Sequence, residues 1–328
     1  MARFEFRGDD ASDDRPNAQH EGRPIRTPTP AELDGASRVR KESVAPSRAA
    51  AHTPDQTNRK QMIDTTASTA TSRDGTKIAF WSTGSGPPLL FVHGTTADHT
   101  SWELTRPHLE SEFTMHVLDR RGRGGSGDHV EYSIDREYDD IVAVVDVVAR
   151  HSGSAVHVFG HSFGGTVALG AAARSSDVGR LVVYEPPVRP DFATLNSSVA
   201  ARLDEIAGRG DFGGALEFFY RQVVGVGQDE VEMFKSLPSW EPRAAAVHTV
   251  IREFREDFVI TEDMLRHIDV PTLFLLGSES PDWVQQDIRH AAQALPGSTV
   301  ALLDGQEHIA HYTAPETLAR VVWEFLTG

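Results

Sequence analysis

The 328-residue chain contains no cysteine. That absence excludes a disulfide framework, a zinc ribbon and a thiol nucleophile together. Lysine is scarce as well, with 4 residues against 28 arginines, and acids outnumber bases 48 to 32 for a formal charge of −16. A phosphate-backbone binder needs a basic stripe, so a nucleic-acid partner is not expected. No apolar run approaches the roughly 18 residues that a membrane helix needs. The opening residues, MARFEFRGDD, are acidic where a secretion signal would be basic and apolar. The expectation is a soluble, cytoplasmic protein with no membrane span; nothing in the composition fixes an oligomeric state.

What the chain does contain falls into two parts. Residues 1–61 hold only seven of Val, Ile, Leu, Met and Phe, and Pro16, Pro24, Pro28, Pro30, Pro46 and Pro54 interrupt any helix. Such a segment cannot bury enough surface to offset its chain entropy, so a disordered N-terminal tail is expected there. From Lys77 onward apolar strand patterns alternate with helical ones. Strands are expected at Lys77–Thr83, Pro88–Val92, Met115–Leu118, Ala155–Phe159, Arg180–Tyr184, Thr272–Leu276 and Thr299–Leu303. Helices are expected at Ile134–His151, Phe163–Arg174, Trp283–Ala294 and Pro315–Leu326. Alternation of this kind builds an α/β fold, a mostly parallel sheet flanked by helices on both faces. It breaks after Val188, where helical patterns at Ser197–Ala207, Ala215–Val224 and Arg243–Phe254 follow one another. The expected organisation is a core of residues 62–187 and 268–328, with residues 188–267 as a helical cap over the strands' C-terminal ends, where such folds place ligands.

The chemistry concentrates in Gly160-His161-Ser162-Phe163-Gly164, between an expected strand and an expected helix. In that setting G-x-S-x-G is a nucleophile elbow: a sharp turn lifts the serine hydroxyl off the sheet, and small neighbours let strand and helix approach. A serine at neutral pH needs a base. His308, in Asp304-Gly305-Gln306-Glu307-His308 after the last strand, is the best placed; His311 is nearer the following helix. A tetrahedral oxyanion needs two donors aimed at the developing charge. The N–H of Phe163 is one candidate, and the N–H of Thr95, in His93-Gly94-Thr95-Thr96 after the second strand, is the other. His93 is read as a brace for that loop.

In these residues the chain resembles the α/β-hydrolase superfamily, in its capped, serine esterase- or lactonase-like branch. The resemblance runs from Ser72 to the C-terminus. It rests on His93-Gly94, the run from Asp119 to Ser126 (DRRGRGGS), the elbow, and Gly305 with His308. It implies a structural role for the Asp119–Ser126 turn, and a catalytic acid in a Gly-x-x-Asp-Pro turn after the penultimate strand. Here that turn reads Gly277-Ser278-Glu279-Ser280-Pro281, with Ser280 in the acid's place. The acid is left open between Glu185, at the end of the strand following the elbow helix, the alternative Glu279, and Asp282. A carboxylic ester or lactone is the expected small-molecule substrate, with no metal and no cofactor implied. C–C bond hydrolysis, cofactor-free perhydrolysis and a non-catalytic ligand-binding receptor are the alternatives the same pattern permits.

Overall fold

Strand-forming, doubly apolar segments produce the core of the computed structural model, which describes residues 67–188, 192–256 and 260–328. The tail expected at 1–61 lies outside the described residues. Among the described residues eight strands form one sheet: β1 (Ser68–Thr71), β2 (Lys77–Gly84), β3 (Pro88–Val92), β4 (Thr114–Leu118), β5 (Val156–His161), β6 (Val178–Tyr184), β7 (Thr272–Gly277) and β8 (Ser298–Leu303). Their order across the sheet is β1-β2-β4-β3-β5-β6-β7-β8. The pairs β1/β2 and β2/β4 are antiparallel and the remaining neighbours are parallel. The fold is thus the mostly parallel α/β sheet expected, with one strand, β1, that periodicity did not reveal.

Each central strand is buried on both faces. Along β3, Leu90 and Val92 point into one cluster and Leu89 and Phe91 into the other, as period-2 alternation requires. The first cluster is closed by α1 (Ile134–Ser152), α2 (Phe163–Ala172) and α9 (Asp282–Ala294), through residues such as Ile141, Val144, Val167 and Ile288. The second is closed by Trp102 and by α11 (Pro315–Thr327), through Leu318 and Val322. A short α10 (Ala310–Thr313) precedes α11.

Among the described residues, six α-helices stand between β6 and β7: α3 (Phe192–Ala207), α4 (Phe212–Phe218), α5 (Gln228–Ser236), α6 (Trp240–Ala245), α7 (Val247–Arg255) and α8 (Glu262–Arg266). They have their own core of Leu203, Leu216, Tyr220, Phe234 and Val250. Two expected helices differ in detail. The first, Ala215–Val224, is α4 continued by a π-helical turn, Phe219–Val224, that ends at Gly225 with φ of 84°. The second, Arg243–Phe254, is α6 and α7 separated at Ala246, whose ψ of 10° leaves the helical region. Among the described residues no helix is long and apolar enough to cross a membrane.

Candidate active site

Local sequence dictates the sharp turn at the sheet's C-terminal edge. A Cβ on Gly164 would collide with the backbone carbonyls of Val92 and His93, and one on Gly160 would lie 2.6 Å from the Gly164 carbonyl oxygen. Glycine at both places lets α2 start directly against β5 and β3. Between them Ser162 is held at φ 52°, ψ −130°, a conformation costly for a residue with a side chain. Its N–H donates to the Tyr184 carbonyl at 2.8 Å, which fixes the turn to the end of β6.

One other non-glycine described residue has positive φ, and it is Glu185, at 44°. The chain turns there just past β6, and the residue is 4% exposed. Its Oε1 accepts from the Gly277 N–H at 2.8 Å and from Ser280 Oγ at 2.5 Å, while Oε2 accepts from His308 Nδ1 at 2.8 Å. Burial works to raise the Glu185 pKa, but His308 and the Ser280 and Gly277 donors outweigh it and hold the carboxyl below its ordinary value. Ser280, standing where the resemblance places an acid, instead donates to a carboxylate that follows another strand. Glu279 is exposed and accepts from Ser278 Oγ, and Asp282 is exposed at the start of α9. Of the three candidate acids, Glu185 alone is paired with His308.

The His308 loop is pinned from below. His161 Nε2 donates to the His308 carbonyl at 2.9 Å, and the Tyr184 hydroxyl donates to the Glu307 carbonyl. Sequence reasoning missed both, because only the sheet brings the ends of β5 and β6 under this loop. His311, the neighbouring histidine, is 2% exposed, and burial, with the charges of His308 and Arg243, pushes its pKa down to about 3.

A second network holds the loop after β3. His93 Nδ1 donates to the Gly94 carbonyl at 2.8 Å, and its Nε2 accepts from the Arg120 N–H at 3.0 Å. Burial first, then the charges of Arg120 and Arg123, keep His93 well below the usual histidine range. Arg123 donates to the Thr95 carbonyl from Nε at 3.1 Å and Nη2 at 2.6 Å. Arg120 sits 4.7 Å over the Phe163 ring and forks onto Glu137 at 2.9 and 2.7 Å. Glu253, from α7, accepts from both arginines through Oε1, at 2.6 and 2.5 Å. Four buried charges thereby tie the β3 loop, the residue after Ser162 and an insertion helix together. Glu253 lies far away in sequence, and no spacing pattern points to it.

Ser162, Phe163, Thr95, Glu185 and His308 line one cavity of about 300 Å³, further walled by Phe219, Phe254, Trp283 and Val284. Among the described residues no group of three or more His, Cys, Asp or Glu is arranged to hold a metal ion.

The model of the alpha/beta hydrolase family matches residues 89–321. The chain belongs to that family. This hydrolase is 28% identical over 240 residues to the N-formylmaleamate deformylase of Pseudomonas putida, covering 69% of this chain and 83% of that one. It is also 28% identical over 272 residues to the pimeloyl-[acyl-carrier protein] methyl ester esterase of Vibrio cholerae, covering 77% and 99% of the two chains. A solved alpha/beta hydrolase from Sphaerobacter thermophilus superposes with a TM-score of 0.66 at 34% identity, over 79% of this chain and all of that one.

Proposed function

We propose that this hydrolase cleaves an uncharged carboxylic ester or lactone through an acyl-enzyme, with Ser162 as nucleophile, His308 as general base and Glu185 as the acid that orients it. The observation carrying this reading is the Glu185–His308 pair, 2.8 Å apart, in the cavity that Ser162 lines at a strained elbow. Glu185 holds the proton of His308 on Nδ1, so Nε2 is free to accept the proton of Ser162 as Oγ bonds to the carbonyl carbon. The N–H groups of Phe163 and Thr95 take the oxyanion. Arg123 supports this by fixing the Thr95 carbonyl, which orients the preceding peptide. Collapse of the tetrahedral intermediate breaks the bond to the alcohol, and His308 returns its proton to that oxygen. Water then repeats the cycle on the acyl-enzyme, releasing the acid and regenerating Ser162. The helices α3 to α8 act as a cap over the site and set substrate range.

The uncharged substrate is supported by the cavity wall. Glu253, Asp287 and Glu307 line it, and no Lys or Arg does among the described residues. The P. putida relative is named for an anionic substrate, whereas this wall offers no cation to receive one; the V. cholerae relative is named for a methyl ester. A fluorophosphonate probe with peptide mapping tests the reading, alongside turnover of p-nitrophenyl esters. Labelling of Ser162 with ester turnover is expected. A folded protein that is neither labelled nor active is a ligand-binding member of the family instead.

A further inference from the structure

The N–H of Thr95, one of the two proposed oxyanion donors, belongs to the peptide unit whose oxygen is the Gly94 carbonyl. That oxygen accepts from His93 Nδ1 at 2.8 Å, from Arg120 Nη1 at 3.3 Å and from the Ala97 N–H at 3.3 Å. A trans peptide is planar with its C=O and N–H opposed, so donors gathered on the oxygen fix the direction of the N–H. They also polarise the amide and strengthen it as a donor. On the other side of the residue, the Thr95 carbonyl takes both prongs of Arg123. Guanidinium groups thus hold the two carbonyls that flank the Thr95 N–H. Arg120 also lies over the ring of Phe163, the other proposed donor.

Carboxylates decide where these guanidinium groups stand. Arg120 has Glu137 on α1 and Glu253 on α7, whereas Arg123 has, among the described residues, Glu253 alone. Glu253 is 2% exposed and both arginines are as deeply buried, so bulk water does not stand in for a missing partner. Both Nη2 atoms converge on Glu253 Oε1, at 2.6 and 2.5 Å, and two like charges are held side by side there. Without that anion the two buried cations would share one carboxylate, a costly arrangement. Arg123, whose charge burial already disfavours, would turn away from Thr95. The helix that brings Glu253 is fastened on both sides of it. Arg252 Nη2 donates to the Arg121 carbonyl at 2.9 Å, and Glu256 accepts from the Ile134 N–H at 3.2 Å.

We propose, building on the serine-hydrolase reading, that Glu253 is a positioning residue for the oxyanion hole: from insertion helix α7 it keeps Arg120 and Arg123 on the Gly94 and Thr95 carbonyls and so aims the Thr95 N–H. The insertion then serves the chemical step as well as the cavity wall.

Glu253→Gln in the intact protein keeps the shape and removes the charge. Among the described residues no donor meets Oε2, so the amide nitrogen displaces no hydrogen bond there. On p-nitrophenyl butyrate kcat should fall about tenfold or more with KM within about twofold, since losing an oxyanion donor outright costs about 10²- to 10³-fold. Two inhibitors supply a readout that a merely structural role would not split. An octyl trifluoromethyl ketone takes Ser162 Oγ on its carbonyl carbon while the hydroxyl proton passes to His308, leaving an anionic oxygen at the oxyanion position. 1-Octanol fills the cavity without one. The ketone should bind Glu253→Gln about tenfold or more less tightly, and octanol within about twofold of the parent. A smaller loss of ketone affinity, or an equal loss for octanol, overturns the proposal. Should Glu253→Gln fail to fold, Arg120→Lys decides: one ammonium cannot serve Gly94 and both carboxylates, so the same selective loss is expected. Fluorophosphonate labelling of the unaltered protein separates the failures. A labelled, active parent whose variants bind both inhibitors as it does sinks this inference, whereas an unlabelled, inactive parent sinks the hydrolase reading beneath it.

Discussion

Glu185→Gln isolates what the buried carboxylate does for His308. The amide is isosteric, so it can still accept from the Gly277 N–H and Ser280 Oγ, both now on Oε1. Its NH₂ group then replaces Oε2 against His308 Nδ1, 2.8 Å away. Two donors cannot face each other, so the imidazole moves its proton to Nε2, the nitrogen that must be empty to receive the Ser162 proton. The imidazolium formed during catalysis also loses its counter-charge. From the behaviour of such triads, kcat should fall by about 10²- to 10⁴-fold with KM little changed. The fold should persist, since the substitution exchanges one charge-assisted hydrogen bond for a neutral one, worth about 1–3 kcal/mol. Initial rates on a p-nitrophenyl ester, with far-UV circular dichroism and a melting curve, measure both. The controls are Glu279→Gln and Asp282→Asn, exposed positions expected to stay within about twofold of the parent. Near-parental activity in Glu185→Gln, with collapse in Glu279→Gln, would refute the reasoning and move the acid to the turn after β7.

Three further outcomes follow from the same geometry. Ser162→Ala should lower kcat by about 10³-fold or more while leaving the melting temperature unchanged, since alanine keeps the same strained backbone; activity within about tenfold would remove Ser162 as the nucleophile. Arg123→Lys replaces a two-pronged contact on the Thr95 carbonyl with a single ammonium, so kcat should drop by about tenfold or more at nearly constant KM; equal loss in both would make Arg123 a binding residue. Burial holds the pKa values of His93, His161 and His311 below the ordinary histidine range, so the unfolded chain binds more protons once pH falls below about 6.5, and each histidine then removes up to about 1.4 kcal/mol of stability per pH unit. Glu185 adds a loss of the same sign below its unfolded value near 4.5, and a melting temperature flat from pH 7.5 to 5 would contradict the histidine assignment.

The serine and the histidine proposed for the chemistry stand in local patterns, which is why the sequence alone singles them out. The elbow is five adjacent residues, and His308 follows the last apolar strand. The sheet was legible for the same reason: strands buried on both faces read as continuous apolar runs. Ser68–Thr71 escaped because it is an edge strand with Ala70 as its one fully buried apolar residue. The break at Ala246 escaped because nothing in the helical periodicity from Arg243 to Phe254 marks it; a Thr249 hydroxyl bond to the Ala246 carbonyl, at 2.6 Å, stands at the junction. The choice among acids was undecidable from spacing because it depends on three strands meeting: Glu185 follows β6, its donors Gly277 and Ser280 belong to β7 and the turn after it, and its histidine follows β8. The link from Glu253 to Arg120 and Arg123 is a contact between an insertion helix and the core, and a residue's partner across 130 positions leaves no mark on its neighbours.

The two positive-φ side chains carry a consequence for how this scaffold changes over generations. Ser162 and Glu185 occupy backbone conformations that glycine adopts freely. On the proposed mechanism, turnover requires a hydroxyl and a carboxylate there, against the local preference of the chain. Once that requirement lapses, Ser162→Gly relaxes the elbow and is expected to stabilise the fold by about 1 kcal/mol while ending catalysis. Loss of chemistry is thus a downhill step for the protein's stability, and the cavity survives it. An inert descendant that retains and binds the former substrate is one mutation away, in the direction that most substitutions, being destabilising, do not take.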